Sequence, residues 1–511
     1  GRLSAWYPQL SDQPLVRVHY IIGVEPGKHP IPDAAALDAE VAEAGRGWTD
    51  RFESALRAAD IDDVQVGPLS ARWAEAFAVG YRERYSATEA VEDLQQIDRL
   101  NATGLVGEGE PVAVRAFRNP GDAPTQFRFK LYRRGEAVPL SDVLPILADM
   151  GLRTLEEWGH AIHPAGDDSE VHVHEFLLDD PRGADLSFAA VKGPFEAAVS
   201  AVWTGHTESD GFNRLVIELG IDWRDAALVR TLARYRQQSG LDPSQATQEE
   251  ALREYPEVAR ALLALFAAKF DPAGAEGREK TVAGLIKQIE TLLQGVKSLD
   301  HDRTLRRIGK LIEAIKRTNF YQRVDGRPKP HISIKIASRE LADLPLPKPF
   351  REIFVWAPHI EGVHLRFGPV ARGGLRWSDR RDDFRTEVLG LVKAQQVKNA
   401  VIVPVGSKGG FFPKFLQNVI RAGGDRDAQQ AEAIRAYKTF LSGLLDITDN
   451  IDAGGKIVHP ADVVMWEGDD PYLVVAADKG TATFSDIANG VSASYGFWLD
   501  DAFASGGSVG Y

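Results

Sequence analysis

The chain has 511 residues, a net charge of −13 and an isoelectric point near 5.5. A chain of this length exceeds what one hydrophobic core holds, so we expect about three or four domains. The negative charge disfavours nucleic acids and anionic membranes as partners, and the absence of cysteine excludes disulfides, thiolate metal sites and cysteine nucleophiles. Neither end, Gly1 or Tyr511, resembles a natural terminus, so we expect a segment of a longer protein.

The first third of the chain predicts strands mixed with helices. β-Branched residues and a closing glycine predict a strand at 14–23. The elements predicted after it are helices at 33–60 and 69–98, strands at 112–117 and 126–132, a helix at 140–150, and strands at 153–163 and 170–178. The strand–helix–strand–strand order at the end of this stretch is typical of a small α+β sandwich that binds effectors or packs against a partner.

The middle of the chain predicts helices. From about residue 186 to 320, apolar residues recur at spacings of three and four, as in Leu228, Leu232 and Tyr235. We interpret this stretch as a structural bundle or connector. Proline-rich stretches mark the entry to a further domain near residue 321.

A pair of adjacent glycines opens the chemically informative part of the chain. Gly373 and Gly374 follow a strand predicted at 363–367, and glycines let the backbone approach a ligand closely and expose N–H groups to an anion. Arg372 and Arg376 flank the pair, and their guanidinium groups suit a carboxylate. The alternative is a hairpin turn with surface arginines.

Two lysines border the next predicted strand. A helix predicted from about residue 382 ends at Lys398, where the helix dipole favours a cation, as it would for any lysine at a helix end. The apolar run 400–405 predicts a buried strand, with Lys408 on the glycine loop that follows it. If both ammonium groups lie near one apolar pocket, the more buried lysine has a lowered pKa, which suits chemistry on a small anionic carbonyl compound or amino acid.

Asp478 follows another predicted buried strand, at 472–477. Ligands bind at the carboxyl ends of strands in α/β sheets, so Asp478 next to Lys408 would form an acid–base pair. The alternative is an Asx turn or a helix cap.

No metal site is predicted. His172 and His174 lie two apart on a predicted strand, but no third ligand accompanies them. A group of acidic and amide residues could surround a cation, although a solvated helix end is the simpler interpretation. The group consists of Asp446, Asp449, Asn450 and Asp452.

Four segments occur in the order known from one enzyme family. They are Arg372-Gly-Gly-Leu-Arg376, Gln396-Val-Lys-Asn-Ala400, Gly406-Ser-Lys-Gly-Gly410 and Ala477-Asp-Lys-Gly-Thr481. Their order resembles that in the substrate domain of glutamate dehydrogenases, and the surrounding sequence is similar to that of the large, NAD-specific bacterial members. The resemblance covers most of the chain and is strongest from 350 to 511.

The resemblance implies a role for each matching residue. Lys398 and the loop of Gly373 and Gly374 would hold the substrate α-carboxylate. Lys408 would be the catalytic lysine that polarises the carbonyl and activates water, and Asp478 the general acid/base.

One matching position departs from the family pattern. At Arg372 the shorter, hexameric enzymes have a lysine directed toward the distal carboxylate of the substrate. That leaves the role of Arg372 open, although an arginine fork can bind the same carboxylate.

The resemblance further implies an α/β multidomain protein that converts L-glutamate to 2-oxoglutarate and ammonium with NAD. The expected domains are an α+β module at 1–125 that is ACT-like with a helical insertion, an ACT-like α+β module at 126–185, a helical domain at 186–320 and a catalytic substrate-binding domain at 321–511. We expect a cytoplasmic homo-oligomer.

The cofactor contacts are unknown from the sequence. No Gly-x-Gly-x-x-Gly fingerprint occurs in the chain, and the family places its nucleotide-binding domain after the substrate domain. We therefore expect that domain to be absent and this segment to be inactive alone. The alternative function is a non-catalytic amino-acid sensor or assembly fragment of a larger enzyme.

Overall fold

The computed structural model describes most of the chain. The described residues are 2–9, 17–25, 33–102, 111–166, 170–183, 186–242, 244–274, 276–398, 405–477 and 482–508. They form two compact units, one of Gly1–Gln95 with Ala161–Glu170 and one of Gln96–His160 with Val171–Tyr511. No helix in these ranges has both the length and the apolar content needed to cross a membrane.

An antiparallel hairpin and a run of helices begin the chain. Their bounds are β1 (Arg2–Gln9), β2 (Arg17–Gly23), α1 (Ala34–Gly45), α2 (Trp48–Ala58), α3 (Asp63–Trp73), α4 (Val79–Arg84) and α5 (Ala87–Ala102). The two long helices predicted here are thus wrong. The first is divided at Gly47, between α1 and α2. The second is divided into α3, α4 and α5. Helix α3 already begins at residue 63, where the Asp62 carboxylate caps it by accepting a hydrogen bond from the Val64 N–H at 3.0 Å.

A four-stranded sheet and two helices follow. Their bounds are β3 (Val112–Phe117), β4 (Gln126–Arg134), α6 (Leu140–Asp149), β5 (Arg153–Ile162), β6 (Val171–Asp179) and α7 (Phe188–Trp203), and the strand order is β3-β4-β6-β5. Phe127, Phe129 and Phe176 pack with Phe195 of α7 in one apolar core. The predicted strand–helix–strand–strand order is confirmed. Strand β3 pairs with β4, although the predicted domain boundary at residue 125 separates the two.

Helices then cover residues 214–314, as the apolar spacing predicted. Their bounds are α8 (Arg214–Leu219), α9 (Trp223–Gln238), α10 (Gln245–Glu254), α11 (Pro256–Phe270), α12 (Arg278–Leu293) and α13 (Leu299–Ala314). Leu262 and Leu305 from these helices share one apolar core with Ile334 and Trp356 from the sheet that follows. The division at residue 320 remains a prediction, and this core extends across it.

The last part of the chain has α/β structure. Its elements are β7 (Ile315–Thr318), β8 (Arg323–Val324), β9 (Arg327–Pro328), β10 (Ile332–Ile336), β11 (Arg351–Ala357), β12 (Ile360–Arg366), β13 (Ala371–Arg372), β14 (Gly374–Trp377), α14 (Phe384–Lys398), β15 (Val405–Pro413), α15 (Leu416–Arg421), α16 (Arg426–Leu445), β16 (Asn450–Ile451), β17 (Ile457–Val458), β18 (Ala476–Ala477) and α17 (Ala482–Ser494).

One mixed sheet organises this part of the chain. Its strand order is β18-β14-β15-β12-β11-β10-β7, and β13 also pairs with β15. Strands β7, β10, β11, β12 and β15 are joined by antiparallel pairs, whereas β13, β14 and β18 extend the sheet in parallel. Strands β8 and β9 form a separate antiparallel pair. Val388 of α14 packs on one face, and Phe440 of α16 packs on the other. Helices on both faces are typical of an α/β sheet.

Candidate active site

Lys408 lies within strand β15 and not on a loop, so that part of the prediction is wrong. The strand pairs antiparallel with β12, where Leu365 is opposite Lys408, and parallel with β13 and β14. Packing explains the glycine that suggested a loop, because a Cβ atom on Gly409 would lie 2.4 Å from Cδ2 of Leu375. The preceding run, 400–404, lies outside the described residues.

The side chain of Lys408 is half-buried. Phe412 lies four residues further along β15 and belongs to the same apolar core as Val388 of α14. Since alternate residues of a strand face the same side, Lys408 faces the side that α14 covers.

The paired glycines join two short parallel strands instead of forming a loop or hairpin. Gly373 lies between β13 and β14, and Gly374 begins β14. A Cβ atom on Gly373 would lie 1.5 Å from the backbone oxygen of Ser407, so this position admits only glycine. Arg372 is exposed beside it.

The register of the sheet brings these segments together. Strands β13 and β14 pair with β15 in the same register, and that register puts Lys408 of β15 level with Gly374. On the other edge of β14, Ala476 of β18 is also level with Gly374. Strands β14 and β15 thus lie side by side with β18. The first two contain residues of two of the four sequence segments, and β18 leads into a third.

Arg376, the second arginine near the glycines, binds within the protein. Its Nε lies 2.8 Å from the Glu387 carboxylate at the start of α14. Ser378 donates its hydroxyl to the same carboxylate at 2.6 Å. This contact joins β14 to α14.

Two predicted site residues cannot be placed in full. Lys398 is the last residue of α14, but its side chain lies outside the described part of the structure. Asp478 lies outside the described residues altogether; β18 ends one residue before it. Their predicted roles stay predictions.

The acidic group near residue 450 is not a solvated helix end throughout, contrary to the sequence interpretation. Asp446 and Asp449 are buried at 2% and 0% exposure. Burial alone would raise the pKa of Asp446, but hydrogen bonds and charges from His331 and Lys329 hold it well below its ordinary value. Asp449 pairs with the buried Arg317, and Asp446 pairs with the partly buried Lys329, so both carboxylates have structural partners.

His174, one of the two histidines weighed as metal ligands, has partners of its own. Its Nδ1 lies 2.7 Å from Glu157, and its Nε2 accepts a hydrogen bond from the Val138 N–H at 3.3 Å. These two contacts fix the ring.

A buried group of ion pairs beside the site was missed by sequence reasoning. Its members are Arg317, Lys335, Arg351, Arg366, Asp449, Glu467 and Asp470. We call it the inner ion-pair network. One local signal was available, since Lys335 stands in the otherwise mainly apolar strand Ile332–Ile336.

Comparisons with known protein families match successive parts of the chain. The model described as the catalytic domain of bacterial NAD-glutamate dehydrogenase matches residues 288–511. Other glutamate dehydrogenase models match an ACT2 domain at 1–49, helical motif 2 at 58–100, an ACT3 domain at 111–191 and helical motif 3 at 207–272. The chain is thus of a class that combines ACT domains and helical motifs with a dehydrogenase catalytic domain.

Similar proteins point to one family within that class. The NAD-specific glutamate dehydrogenases of Halomonas elongata and Pseudomonas aeruginosa are 44% and 46% identical over 98% of this chain, and that of Mycobacterium tuberculosis is 43% identical over 92%. The chain belongs to the bacterial NAD-specific glutamate dehydrogenase family. It spans about 30% of the length of these relatives. The resemblance and the fold class inferred from the sequence are confirmed.

Proposed function

We propose that this chain contributes the substrate-binding and acid–base residues of an NAD-dependent glutamate dehydrogenase. The reaction is oxidative deamination of L-glutamate to 2-oxoglutarate and ammonium. One observation supports it most: Lys408, Gly374 and the end of β18 lie level on adjacent strands, within the segment that matches the catalytic-domain model.

Lys408 is the proposed catalytic lysine. Its half-buried position between β12 and β14 limits access of water, which strengthens the effect of an ammonium group on a nearby carbonyl oxygen. In that position it would stabilise negative charge on the oxygen that forms when water attacks the iminium carbon.

The remaining roles follow the sequence resemblance. Asp478 is proposed to move protons to and from the amino group, and Lys398 with the Gly373–Gly374 backbone to bind the α-carboxylate. The exposed side chain of Arg372 is proposed to bind the distal carboxylate of glutamate.

Hydride loss from Cα of glutamate requires an acceptor, for which we propose NAD. No residue of this chain is proposed to hold the cofactor, because the sequence contains no dinucleotide fingerprint. The proposal also includes a cytoplasmic location and a homo-oligomeric assembly, which fractionation and light scattering of the full-length protein would test.

The decisive experiment replaces Lys408 in the full-length protein. Lys408→Ala should lower kcat for glutamate-dependent NADH formation by at least ~1000-fold, since it removes the proposed charge stabilisation. The matched control is Lys438→Ala, which removes an exposed lysine on α16 and should leave kcat within about twofold.

Two results would contradict the proposal. Normal turnover by a folded Lys408→Ala protein would remove the catalytic assignment. A wild-type full-length protein that binds glutamate but forms no NADH would favour the amino-acid sensor or assembly fragment instead.

A further inference from the structure

The inner ion-pair network lies on the sheet face opposite α14. Arg317, Lys335 and Arg366 are exposed by 2% or less, although each has a basic side chain. Lys335 and Arg317 are paired across β10 and β7. A buried cation is costly unless a carboxylate and hydrogen bonds compensate it, so these side chains strongly constrain the acidic segment that pairs with them.

Asp470 joins two of these cations. Lys335 Nζ lies 2.5 Å from one carboxylate oxygen, and Arg366 donates to both carboxylate oxygens. The backbone N–H of Asp470 also donates to Asp449 at 2.6 Å. Burial alone would raise the pKa of Asp470, but the charges of Lys335 and Arg366 outweigh it and hold the pKa far below its ordinary value.

The network reaches the strand that contains Lys408. Arg366 is opposite Ser407 in the pairing of β12 with β15, and the next pair along is Leu365 with Lys408. Arg366 thus fixes Asp470 from a strand position adjacent to the Lys408 pair.

The same arginine also holds the chain that leads to β18. Arg366 donates to the backbone oxygen of Tyr472 at 2.6 Å. Three residues further on, the N–H of Val475 donates to Phe503 at 2.7 Å, and β18 then pairs with β14. The segment from Asp470 to Ala477 is therefore held by the network at its start and by β14 at its end.

We propose that Asp470 is a positioning residue for the dehydrogenase site. By binding Lys335 and Arg366 it fixes where the chain enters β18, and so where the end of β18 lies relative to Lys408. This inference rests on the proposed function, in which the residue after β18 is the general acid/base. Asp470 itself need not touch the substrate.

The test compares variants of the full-length protein. Asp470→Asn keeps the size of the side chain but removes its charge; it should lower kcat at least tenfold and shift the pH profile of kcat, because acid–base geometry is disturbed. Asp470→Glu restores the carboxylate and should recover part of the lost turnover. The matched control is Asp302→Asn, which breaks the surface pair with Arg306 on α13 and should leave kcat and its pH profile unchanged.

A second variant covers the case in which Asp470→Asn fails to fold. Lys335→Met removes one cation from a network that has four cations and three carboxylates, and it leaves the pair of Arg366 with Asp470 in place. It should fold and lower kcat about threefold to tenfold. Turnover equal to wild type in Lys335→Met would overturn the proposal.

The outcomes separate this inference from the proposed function. If wild type is active and Asp470→Asn only melts at a lower temperature, with kcat and pH profile unchanged, Asp470 is merely structural and the positioning role is overturned. If wild type forms no NADH from glutamate, the proposed function fails first, and the positioning role fails with it.

Discussion

At the scale of single residues, the sheet contains a buried histidine with no hydrogen-bond partner for either ring nitrogen among the described residues. His364 of β12 is 1% exposed. Burial, and then the nearby charge of Arg366, lower its pKa from 6.5 to about 3. His364 is therefore neutral in the folded protein at any pH near neutrality.

The lowered pKa of His364 predicts that the protein loses stability in mild acid. Between pH 6.5 and 3 the unfolded chain binds a proton that folded His364 does not bind, so the free energy of unfolding decreases as the pH falls through that window. From pH 7 to pH 5 the contribution is about 2 kcal/mol. His359, whose pKa burial lowers to about 4, acts in the same direction.

The measurement is urea unfolding of the chain at pH 7 and pH 5. His364→Leu should remove about 2 kcal/mol of the pH dependence, because leucine does not titrate. Equal pH dependence in the variant and in wild type would show that His364 is protonated or solvated in the folded state.

At the scale of elements, one glycine sets the spacing of three strands. Gly373→Ala would put a Cβ atom 1.5 Å from the Ser407 oxygen, which forces β13 and β14 away from β15. We expect a loss of about 3 kcal/mol in the free energy of unfolding, measured by denaturant titration.

The control for that variant lies on the next helix. Gly390→Ala of α14 meets no atom within 4 Å, and alanine favours a helix interior over glycine by about 1 kcal/mol. It should stabilise the protein. If Gly373→Ala is as stable as wild type, then Gly373 does not approach the Ser407 oxygen of β15 closely enough to exclude a Cβ atom.

Local patterns predicted most elements but not the strand that contains Lys408. Phe127 and Phe129 alternate with polar residues, so β4 was visible in the sequence. Strand β15 contains Gly406, Gly409 and Gly410, which disfavour strands locally. Its neighbours β12 and β14 stabilise it from both sides. A local sequence pattern does not show such tertiary contacts.

The candidate site was predictable only in part for the same reason. The order of the glycine and lysine segments pointed to adjacent strands, and the register of β14, β15 and β18 agrees. The inner ion-pair network was not predictable, since Arg317 and Asp449 are 132 residues apart in sequence and leave no local pattern.

At the scale of the whole molecule, the helices before residue 315 and the sheet after it are interdependent. They share one apolar core. They also share buried polar contacts: the Glu352 carboxylate of β11 accepts hydrogen bonds from Tyr235 of α9 at 3.2 Å and from Arg385 of α14 at 2.6 Å.

This shared core predicts which segments fold alone. Residues 207–511 should show one cooperative thermal transition by circular dichroism, because they retain both sides of the core. Residues 321–511 should not, because they expose the apolar face that α11 and α13 cover. A sharp transition in the shorter segment would contradict a shared core.

A structure of the full-length protein with 2-oxoglutarate bound would test the proposed dehydrogenase site most directly. We predict that the 2-oxo oxygen lies within hydrogen-bond distance of Lys408 Nζ, with the Asp478 carboxylate in the same cavity. Finding the ligand elsewhere, or Lys408 and Asp478 on opposite faces of the sheet with no cavity between them, would contradict the proposed catalytic roles of these two residues.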